Sequence, residues 1–341
     1  MNGPLTLPDG GLEKHLLDRG ILFRNEEIIE LTELEGGVSG VVYRIRTTSG
    51  REVVLKQALD QLKVAQDWRA DPARAQNEAH ALRLFHQLTP DQVPALVDID
   101  PITNTLVMEA APASWLPWNR VLLDDAAGPD FDNGAVASTL GRTLGAWHRA
   151  TGQNAGTVDA FANGPELRDL RIVPFHEAVR WRHPDCAPAI ERCIAELEDD
   201  RSAVIHGDFS PKNILVDPVT AELWVIDFEV AHAGPPVFDV AFLTSHLLMK
   251  AIHRPSHAKY FLDLRSRFLA VYGGAAELPH TLDTLGAQTA CLLLARVDGL
   301  SPTAYLTEND RSVIREWAID VLSSSDPESV FAETLKSKGS A

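Results

Sequence analysis

Three oxygen-bearing side chains recur along one segment at a spacing that could support phosphoryl transfer. Asn213 comes five residues after Asp208, and Asp227 follows a second apolar run fourteen residues further on. Phosphoryl transfer needs a carboxylate to orient the attacking hydroxyl, and hard oxygen ligands to hold Mg²⁺ against the triphosphate. This spacing is that of a kinase catalytic loop followed by a metal-binding loop. The pattern predicts an ATP- and Mg²⁺-dependent kinase with Asp208 as base and Asn213 and Asp227 as metal ligands.

Each of these residues also has an ordinary structural explanation. Asp208 could belong to a plain turn, since Gly-Asp is turn-prone, and we expect it at an exposed loop end. Asn213 and Asp227 could simply cap the neighbouring strands. Glu229 points to the same side as Asp227 if the chain stays extended, so it could bind metal or be a solvated surface residue. Lys212 could neutralise charge on the transferred phosphoryl group or be an exposed lysine.

Two further polar residues flank this segment. For His206 we expect a structural role, in which a ring nitrogen bonded to a nearby backbone carbonyl keeps the loop in place. Asp239 opens a predicted helix in Val237-Phe-Asp-Val-Ala241. It could tie that helix to the catalytic loop, and a plain N-cap is the alternative.

The N-terminal part of the sequence contains candidates for binding the nucleotide. Lys56 ends an apolar strand pattern of the kind that precedes the nucleotide lysine in kinases, and Glu78 on the next helix could hold it. A solvated lysine on an edge strand is the alternative. Gly37, Ser39 and Gly40 occupy a turn that could cover the triphosphate, or could form a mere hairpin.

Periodicity predicts a β-rich part followed by a mostly helical part. We expect a short helix within 1–20, a helix opened by Asp71-Pro72, and strands at 28–34, 41–47, 52–57, 95–99 and 105–109. Further helices are predicted around Val136, Leu140, Leu144 and Trp147, and at 188–198, 237–252, 256–272, 282–297 and 308–322.

The predicted architecture is α+β and bilobal, with the active site in the cleft. Residues 1–109 form the nucleotide-binding lobe, 110–118 a hinge, and 119–341 the catalytic and substrate-binding lobe. Backbone groups of Met108, Glu109 and Ala110 would then meet an adenine ring.

Composition narrows the class of protein. The chain has 341 residues, of which 45% are hydrophobic and 23% charged, as in globular proteins. Its net charge of −17 argues against nucleic acid and anionic membrane as partners. Three cysteines without metal spacing, no signal peptide and no apolar run of about 18 residues predict a cytoplasmic protein outside the membrane.

The motifs resemble those of a known group. His206-Gly-Asp208, Asn213, Ile226-Asp227 and Phe238-Asp239-Val-Ala are similar to the aminoglycoside phosphotransferase–choline kinase group of kinase-like small-molecule kinases. The resemblance covers about residues 25–325. It implies a bilobal protein-kinase-like fold, with a β-rich N-terminal lobe carrying one key helix and a larger helical C-terminal lobe.

A narrower resemblance is to the 5-methylthioribose kinases. It is carried by Val54-Leu-Lys-Gln-Ala58, by Asp67-Trp68 with Arg74 and Glu78, by Asp91-Gln-Val-Pro-Ala95, and by Asp227-Phe-Glu229 with Gly234 and Phe238-Asp239. That family has an Asp-x-Glu metal motif, which implies that Glu229 is a metal ligand. The chain departs from the family at Asn213, and it has Arg296 alone where the family has paired arginines. Arg296 is a candidate substrate or phosphate contact, with a surface ion pair as the alternative.

These observations predict phosphorylation of a hydroxyl group of a small metabolite, with a methylthioribose-like sugar as the best single acceptor. An aminoglycoside or amino-alcohol kinase of the choline or homoserine type is the alternative, supported by the acidic surplus alone. A catalytically silent, nucleotide-binding pseudokinase is an alternative of another class. Trp147, His148, Trp181 and Arg182 could line the acceptor site, although core packing or surface placement explains each of them as well.

Overall fold

The computed structural model describes residues 11–34, 39–61, 69–278 and 282–339. The chain divides into two compact units. The first comprises Met1–Ala113 and Trp224–Glu229, and the second Ser114–Leu223 and Val230–Ala341. The first boundary falls inside the segment predicted as a hinge, whose hinge behaviour stays a prediction. Within the described residues, no helix combines the length and the apolar character needed to cross a membrane.

The first unit is built on a five-stranded antiparallel sheet in the order β1-β2-β3-β5-β4. All five predicted strands are present, each end within one residue of the predicted position. The elements of this unit are α1 (Gly11–Asp18), β1 (Ile28–Glu33), β2 (Gly40–Thr47), β3 (Glu52–Ala58), α2 (Arg74–Leu88), β4 (Leu96–Asp100) and β5 (Thr105–Glu109).

The two faces of β3 have different partners. Val53 and Leu55 are buried in a hydrophobic cluster with Leu12 and Leu16 of α1. Because side chains alternate along a strand, Lys56 belongs to the opposite face. β3 is the central strand of the sheet, so the alternative of a lysine on an edge strand is wrong.

Helix α2 begins later than predicted. Asp71 and Pro72 lie in a turn before the helix, where the Asp71 side chain accepts a hydrogen bond from the Ala73 N–H at 2.9 Å. The Arg74 and Ala75 N–H groups bond to carbonyls three residues back, as in a tighter turn. The regular helix therefore starts at Arg74.

The second unit is mostly helical. Its helices are α3 (Trp118–Asp124), α4 (Asn133–Gly152), α5 (Ala155–Ala160), a π-helix (Arg168–Glu177), α6 (Ala178–Arg182), α7 (Ala187–Asp199), α8 (Val237–His253), α9 (Ala258–Ala276), α10 (Leu285–Asp298), α11 (Glu308–Ser323) and α12 (Pro327–Gly339). Short strands are β6 (Leu116–Pro117), β7 (Ala203–Ile205), β8 (Ile214–Val216), β9 (Leu223–Val225), which begins in this unit and ends in the first, and β10 (His232–Gly234). β7 pairs with β10, and β6 with β8.

Helix α8 forms the core of this unit. Its residues from Val237 to Ala251 are buried, and it packs against α9, α10 and α11. The predicted long helices are all present. Those not predicted are the short α3, α5 and α6, the terminal α12, and the π-helix, which contains Pro174. Short helices carry too few turns to show a clear period, and a proline argues against a helix.

Candidate active site

The loop that contains Asp208 is held by the first turn of α8. Asp239 Oδ2 accepts a hydrogen bond from the His206 N–H at 2.7 Å, and Oδ1 accepts one from the Gly207 N–H at 2.8 Å. Asp239 Oδ2 also lies 3.2 Å from His148 Nε2. Asp239 therefore ties the helix to the loop, whereas the N-cap position belongs to Pro236.

His206 also stabilises the loop, and the predicted bond from its ring to a backbone carbonyl stays a prediction. Its Nδ1 accepts a hydrogen bond from the Asp208 N–H at 3.1 Å. Gly207 has a φ of 77°, a conformation that favours glycine, and a Cβ there would lie 2.7 Å from the Val230 carbonyl oxygen. The His-Gly-Asp sequence thus builds a tight, positioned turn.

Asp208 itself is surrounded by donors. Its Oδ2 lies 2.9 Å from Asn213 Nδ2, 3.0 Å from Arg171 Nη2 and 3.0 Å from Lys212 Nζ. Asn213 Nδ2 also donates to the Asp208 carbonyl at 3.0 Å. Asp208 is only 5% exposed, so the prediction of an exposed loop end is wrong. The side chain is enclosed because these donors cover it.

In the first unit, Lys56 lies among three carboxylates. Its Nζ lies 2.8 Å from Glu78 Oε2 and 3.6 Å from Glu229 Oε2, and it donates a hydrogen bond to Asp227 Oδ1. One oxygen from each carboxylate lies within 4.8 Å of the others. Glu78 is 1% exposed and Glu229 is 7% exposed, so the alternative of a solvated Glu229 is wrong.

The charges of this cluster are unbalanced. Burial acts to lower the pKa of Lys56, but Asp227, Glu229 and Glu78 outweigh it and hold that pKa well above its ordinary value. Burial, together with the charges of Asp227 and Glu229, raises the pKa of Glu78 to about 7 against the opposing effect of Lys56. Among the described residues, Glu78 Oε1 is buried without a hydrogen-bond partner. Three crowded carboxylates around one lysine, with an unsatisfied oxygen, fit a site for a divalent ion.

Arg74 positions this cluster. Its Nε lies 3.1 Å from Glu229 Oε2, and its Nη1 donates to the carbonyls of Ala70 and Asp71. Its Nη2 donates to the carbonyls of Ser39 and Leu59. One buried guanidinium therefore connects Glu229 with Ser39 of the predicted nucleotide-binding turn and with the backbone after β3 and ahead of α2.

The residues of that turn have structural roles as well. Gly37 lies outside the described residues. Ser39 is buried, and its carbonyl accepts hydrogen bonds from Arg74 and from the Leu59 N–H. A Cβ on Gly40 would lie 2.6 Å from the Gln57 carbonyl oxygen, so glycine is needed where β2 approaches β3. Phosphate binding by these residues stays a prediction.

The predicted adenine contacts lie at the end of β5. Met108 lies opposite Val54 in the sheet, and the Glu109 N–H donates to the Ala95 carbonyl at 2.9 Å. That N–H is therefore already used within the sheet. Ala110 follows the strand directly, and adenine binding by the three residues stays a prediction.

Arg296 lies in the last turn of α10 and is half-buried. Its Nε donates to Thr303 Oγ1 at 3.1 Å and its Nη1 to Ser301 Oγ at 3.3 Å. The guanidinium carbon lies 5.7 Å from the centre of the Phe175 ring. Within the described part of the chain Arg296 has no ion pair, so the surface ion-pair alternative finds no support.

The four tentative acceptor residues lie where ordinary packing places them. Trp147 and His148 are fully buried in α4, and Trp181 is 78% exposed. Arg182 donates to the Asp298 carbonyl at the surface. The alternative of core packing or surface placement is therefore correct for these residues.

The sequence analysis did not identify three charged or polar side chains of the second unit. Arg171 lies in the π-helix and pairs with Asp208, and no local pattern marks it. His246 and Lys250 are buried in α8. Their signal was present, because they are basic residues four positions apart in a mostly apolar helix.

The chain is similar to several known proteins. The sequence profile described as the phosphotransferase enzyme family matches residues 30–278. Methylthioribose kinase of Bacillus cereus (strain ATCC 10987 / NRS 248) is 24% identical over 306 residues, which cover 76% of this chain and 76% of that protein. Acyl-CoA dehydrogenase family member 10 of Mus musculus is 24% identical over 259 residues, which cover 70% of this chain and 22% of that protein. The chain therefore spans less than a quarter of the mouse protein.

A solved structure shares the fold. A choline/ethanolamine kinase family protein from Mesorhizobium loti matches with a TM-score of 0.56 at 16% identity, and the match covers 98% of this chain and 100% of that one. The predicted kinase-like α+β fold is thus confirmed. So is the predicted enzyme class of small-molecule kinase, and the chain belongs to the phosphotransferase enzyme family.

Proposed function

We propose that the protein uses ATP and Mg²⁺ to phosphorylate a hydroxyl group of a small molecule. The observation that carries this proposal is the buried cluster in which Lys56 lies among Glu78, Asp227 and Glu229. An excess of carboxylates around one lysine suits a site that binds a divalent ion together with phosphate oxygens.

The residues of this cluster have different roles in the proposal. Asp227 and Glu229 would hold Mg²⁺, and Asn213 keeps its predicted role as a ligand through its amide oxygen. Lys56 would bind phosphate oxygens, while Glu78 positions it. When bound, Mg²⁺ would neutralise charge on the phosphates and on the transferred group.

Asp208 would accept or orient the proton of the acceptor hydroxyl. Its Oδ2 is held by Asn213, Arg171 and Lys212, which gives the carboxylate one orientation. Lys212 is half exposed, so its ammonium would also be available to the transferred phosphoryl group. Such positioning is the main contribution a protein makes to phosphoryl transfer.

For the acceptor, the methylthioribose kinases among the relatives support a methylthioribose-like sugar. The alternative of an aminoglycoside or amino alcohol requires a cationic acceptor. Arg171 and Lys212 beside Asp208 disfavour it, because like charges repel.

The test is ADP formation with Mg²⁺ and a panel of hydroxyl acceptors. We expect Asp208→Asn to lower kcat by about 10²- to 10⁴-fold, the usual contribution of a positioned general base. Asp159→Asn, an exposed carboxylate on α5, is the matched control and should behave as the wild type. If no acceptor is phosphorylated and Asp208→Asn binds ATP unchanged, the pseudokinase alternative is correct.

A further inference from the structure

One side of α8 contains two buried polar residues. Phe242, His246 and Lys250 follow one another at intervals of four residues, so they lie along one side of the helix. Lys250 is 1% exposed and His246 is 8% exposed. Neither side chain forms a hydrogen bond or ion pair with any residue that the structure describes. They contact rings instead, with Lys250 Nζ 5.5 Å from the centre of the Tyr305 ring and His246 stacked on Phe242 at 5.7 Å.

The surroundings of these residues are also positively charged. We call the following residues the basic cluster: Arg171, Lys212, His246, Lys250 and Arg296. The guanidinium carbons of Arg171 and Arg296 lie 5.3 and 5.7 Å from the centre of the same Phe175 ring. The cluster adjoins Asp208, which pairs with Arg171 and Lys212. Within the described part of the chain, Asp208 is the one carboxylate paired with the cluster.

Such an arrangement costs free energy unless an anion joins it. Burial and, to a smaller extent, the charge of Arg296 lower the pKa of Lys250 to about 7. Burial also lowers the pKa of His246, and the charges of Lys250, Arg296 and Lys212 act in the same direction. The Tyr305 hydroxyl is buried without a hydrogen-bond partner among the described residues. An uncompensated buried cation is strongly unfavourable, and buried charges in proteins are normally paired.

We propose that the acceptor carries an oxyanionic group, a carboxylate or a phosphate ester, which Lys250 and Arg296 bind while the acceptor hydroxyl lies at Asp208. Arg296 would supply the N–H groups that Thr303 and Ser301 leave unused and Lys250 a compact charge, and Tyr305 would add a hydroxyl donor. This inference rests on the proposed function, because it names the class of molecule that the same site phosphorylates.

The acceptor preference expected from these cations differs from the one that the relatives suggest. A hydroxy acid or a sugar phosphate would pair with Lys250 and Arg296, neither of which has an ion pair among the described residues. A neutral methylthioribose-like sugar would leave Lys250 unpaired, and an amino alcohol would add another positive charge. The preference for an acidic acceptor therefore comes from groups that a neutral molecule leaves unsatisfied.

The test measures kcat/KM for matched pairs of acceptors with three proteins, namely the wild type, Lys250→Met and Lys259→Met. The pairs are hydroxycarboxylates with their amides, and pentose phosphates with the free pentoses, with methylthioribose and choline included. For the wild type we expect kcat/KM to favour the charged member by about 10- to 100-fold, as charge-assisted hydrogen bonds do. Lys250→Met should remove that preference mainly by raising KM. Lys259, an exposed lysine paired with Asp263, is the control and should leave the preference unchanged.

The outcomes separate this inference from the proposed function. The pair with the larger preference shows whether the anion is a carboxylate or a phosphate. A wild type that prefers neutral or cationic acceptors overturns the inference and leaves the kinase function intact.

If no acceptor turns over, the proposed function fails, and calorimetric binding of inorganic phosphate then tests the basic cluster directly. Weaker phosphate binding by Lys250→Met than by Lys259→Met supports the inference, and equal binding overturns it. Thermal melting should show that Lys250→Met folds, with a higher Tm than the wild type in the absence of an anion.

Discussion

Arg74 Nε lies 3.1 Å from Glu229 Oε2, and both side chains are buried. The same guanidinium donates to four backbone carbonyls in the first unit, so the carboxylate of Glu229 is held by a residue whose own orientation is determined by the backbone. Arg74 thus acts as a positioning residue for a predicted metal ligand.

Replacing Arg74 should therefore affect both stability and metal binding. We expect Arg74→Met to lower the free energy of unfolding by about 3 to 5 kcal/mol, because it removes a buried ion-pair partner from Glu229 and a donor from four backbone carbonyls. Urea denaturation measures this, and Arg120→Met, at an exposed pair with Asp124, is the control with a change within about 0.5 kcal/mol. Arg74→Lys keeps the charge without the planar fork and should raise the Mg²⁺ concentration needed for half-maximal activity. An unchanged Mg²⁺ requirement in Arg74→Lys would contradict the positioning role.

The pair of Lys56 and Glu78 should behave as a unit in catalysis. Lys56→Met should lower kcat/KM by about 10²- to 10³-fold, since one preorganised charge at the phosphates is lost. Glu78→Gln should have a smaller effect, because Glu78 acts through Lys56. A double-mutant cycle in ADP formation measures the coupling. We expect the double variant to be no worse than Lys56→Met, and additive effects would show that Glu78 acts independently.

Asp239 should stabilise the catalytic loop. Asp239→Asn places an amide where the carboxylate accepts from the His206 and Gly207 N–H groups, so one buried donor loses its partner. We expect a loss of about 1 to 3 kcal/mol in the free energy of unfolding, together with reduced kcat. Asp263→Asn, at an exposed ion pair on α9, is the control in both measurements. Full stability in Asp239→Asn would mean that these hydrogen bonds contribute nothing net.

The buried Lys250 should make stability depend on pH. Its folded-state pKa is about 7, against an ordinary value of 10.5, and the groups that face it are Arg296 from α10, Tyr305 ahead of α11 and His246 on α8. Between these two pKa values the unfolded chain binds a proton that the folded chain lacks, so rising pH favours the folded state.

Comparing the wild type with Lys250→Met isolates this effect. The stability advantage of Lys250→Met should be largest below pH 7. It should shrink by up to about 1.4 kcal/mol per pH unit between pH 7 and 9. Urea denaturation across that pH range measures the difference. A difference that does not change with pH would show that Lys250 keeps its proton in the fold.

Much of the fold and part of the site could be predicted from local patterns. The strands of the first unit and the long helices of the second have clear periods of two and 3.6 residues, and the predicted bounds lie close to the observed ones. The pairing of Lys56 with Glu78 followed from their places on a strand and the next helix. Arg171 could not be predicted, because it lies 37 residues before Asp208 in a π-helix that contains a proline.

The sequence by itself determined which functional groups are available: a base, amide and carboxylate ligands for a metal ion, and a lysine for phosphate. Their types and spacing are local properties, and the long helices and strands follow from short-range periodicity. Only the tertiary structure decided which charges lie together. It enclosed Asp208, paired Glu229 with Arg74, and buried Lys250 beside Arg296 with no carboxylate of the described residues paired to either. Burial and charge balance depend on side chains distant in the sequence, because the free energy of a charge is set by its surroundings in space.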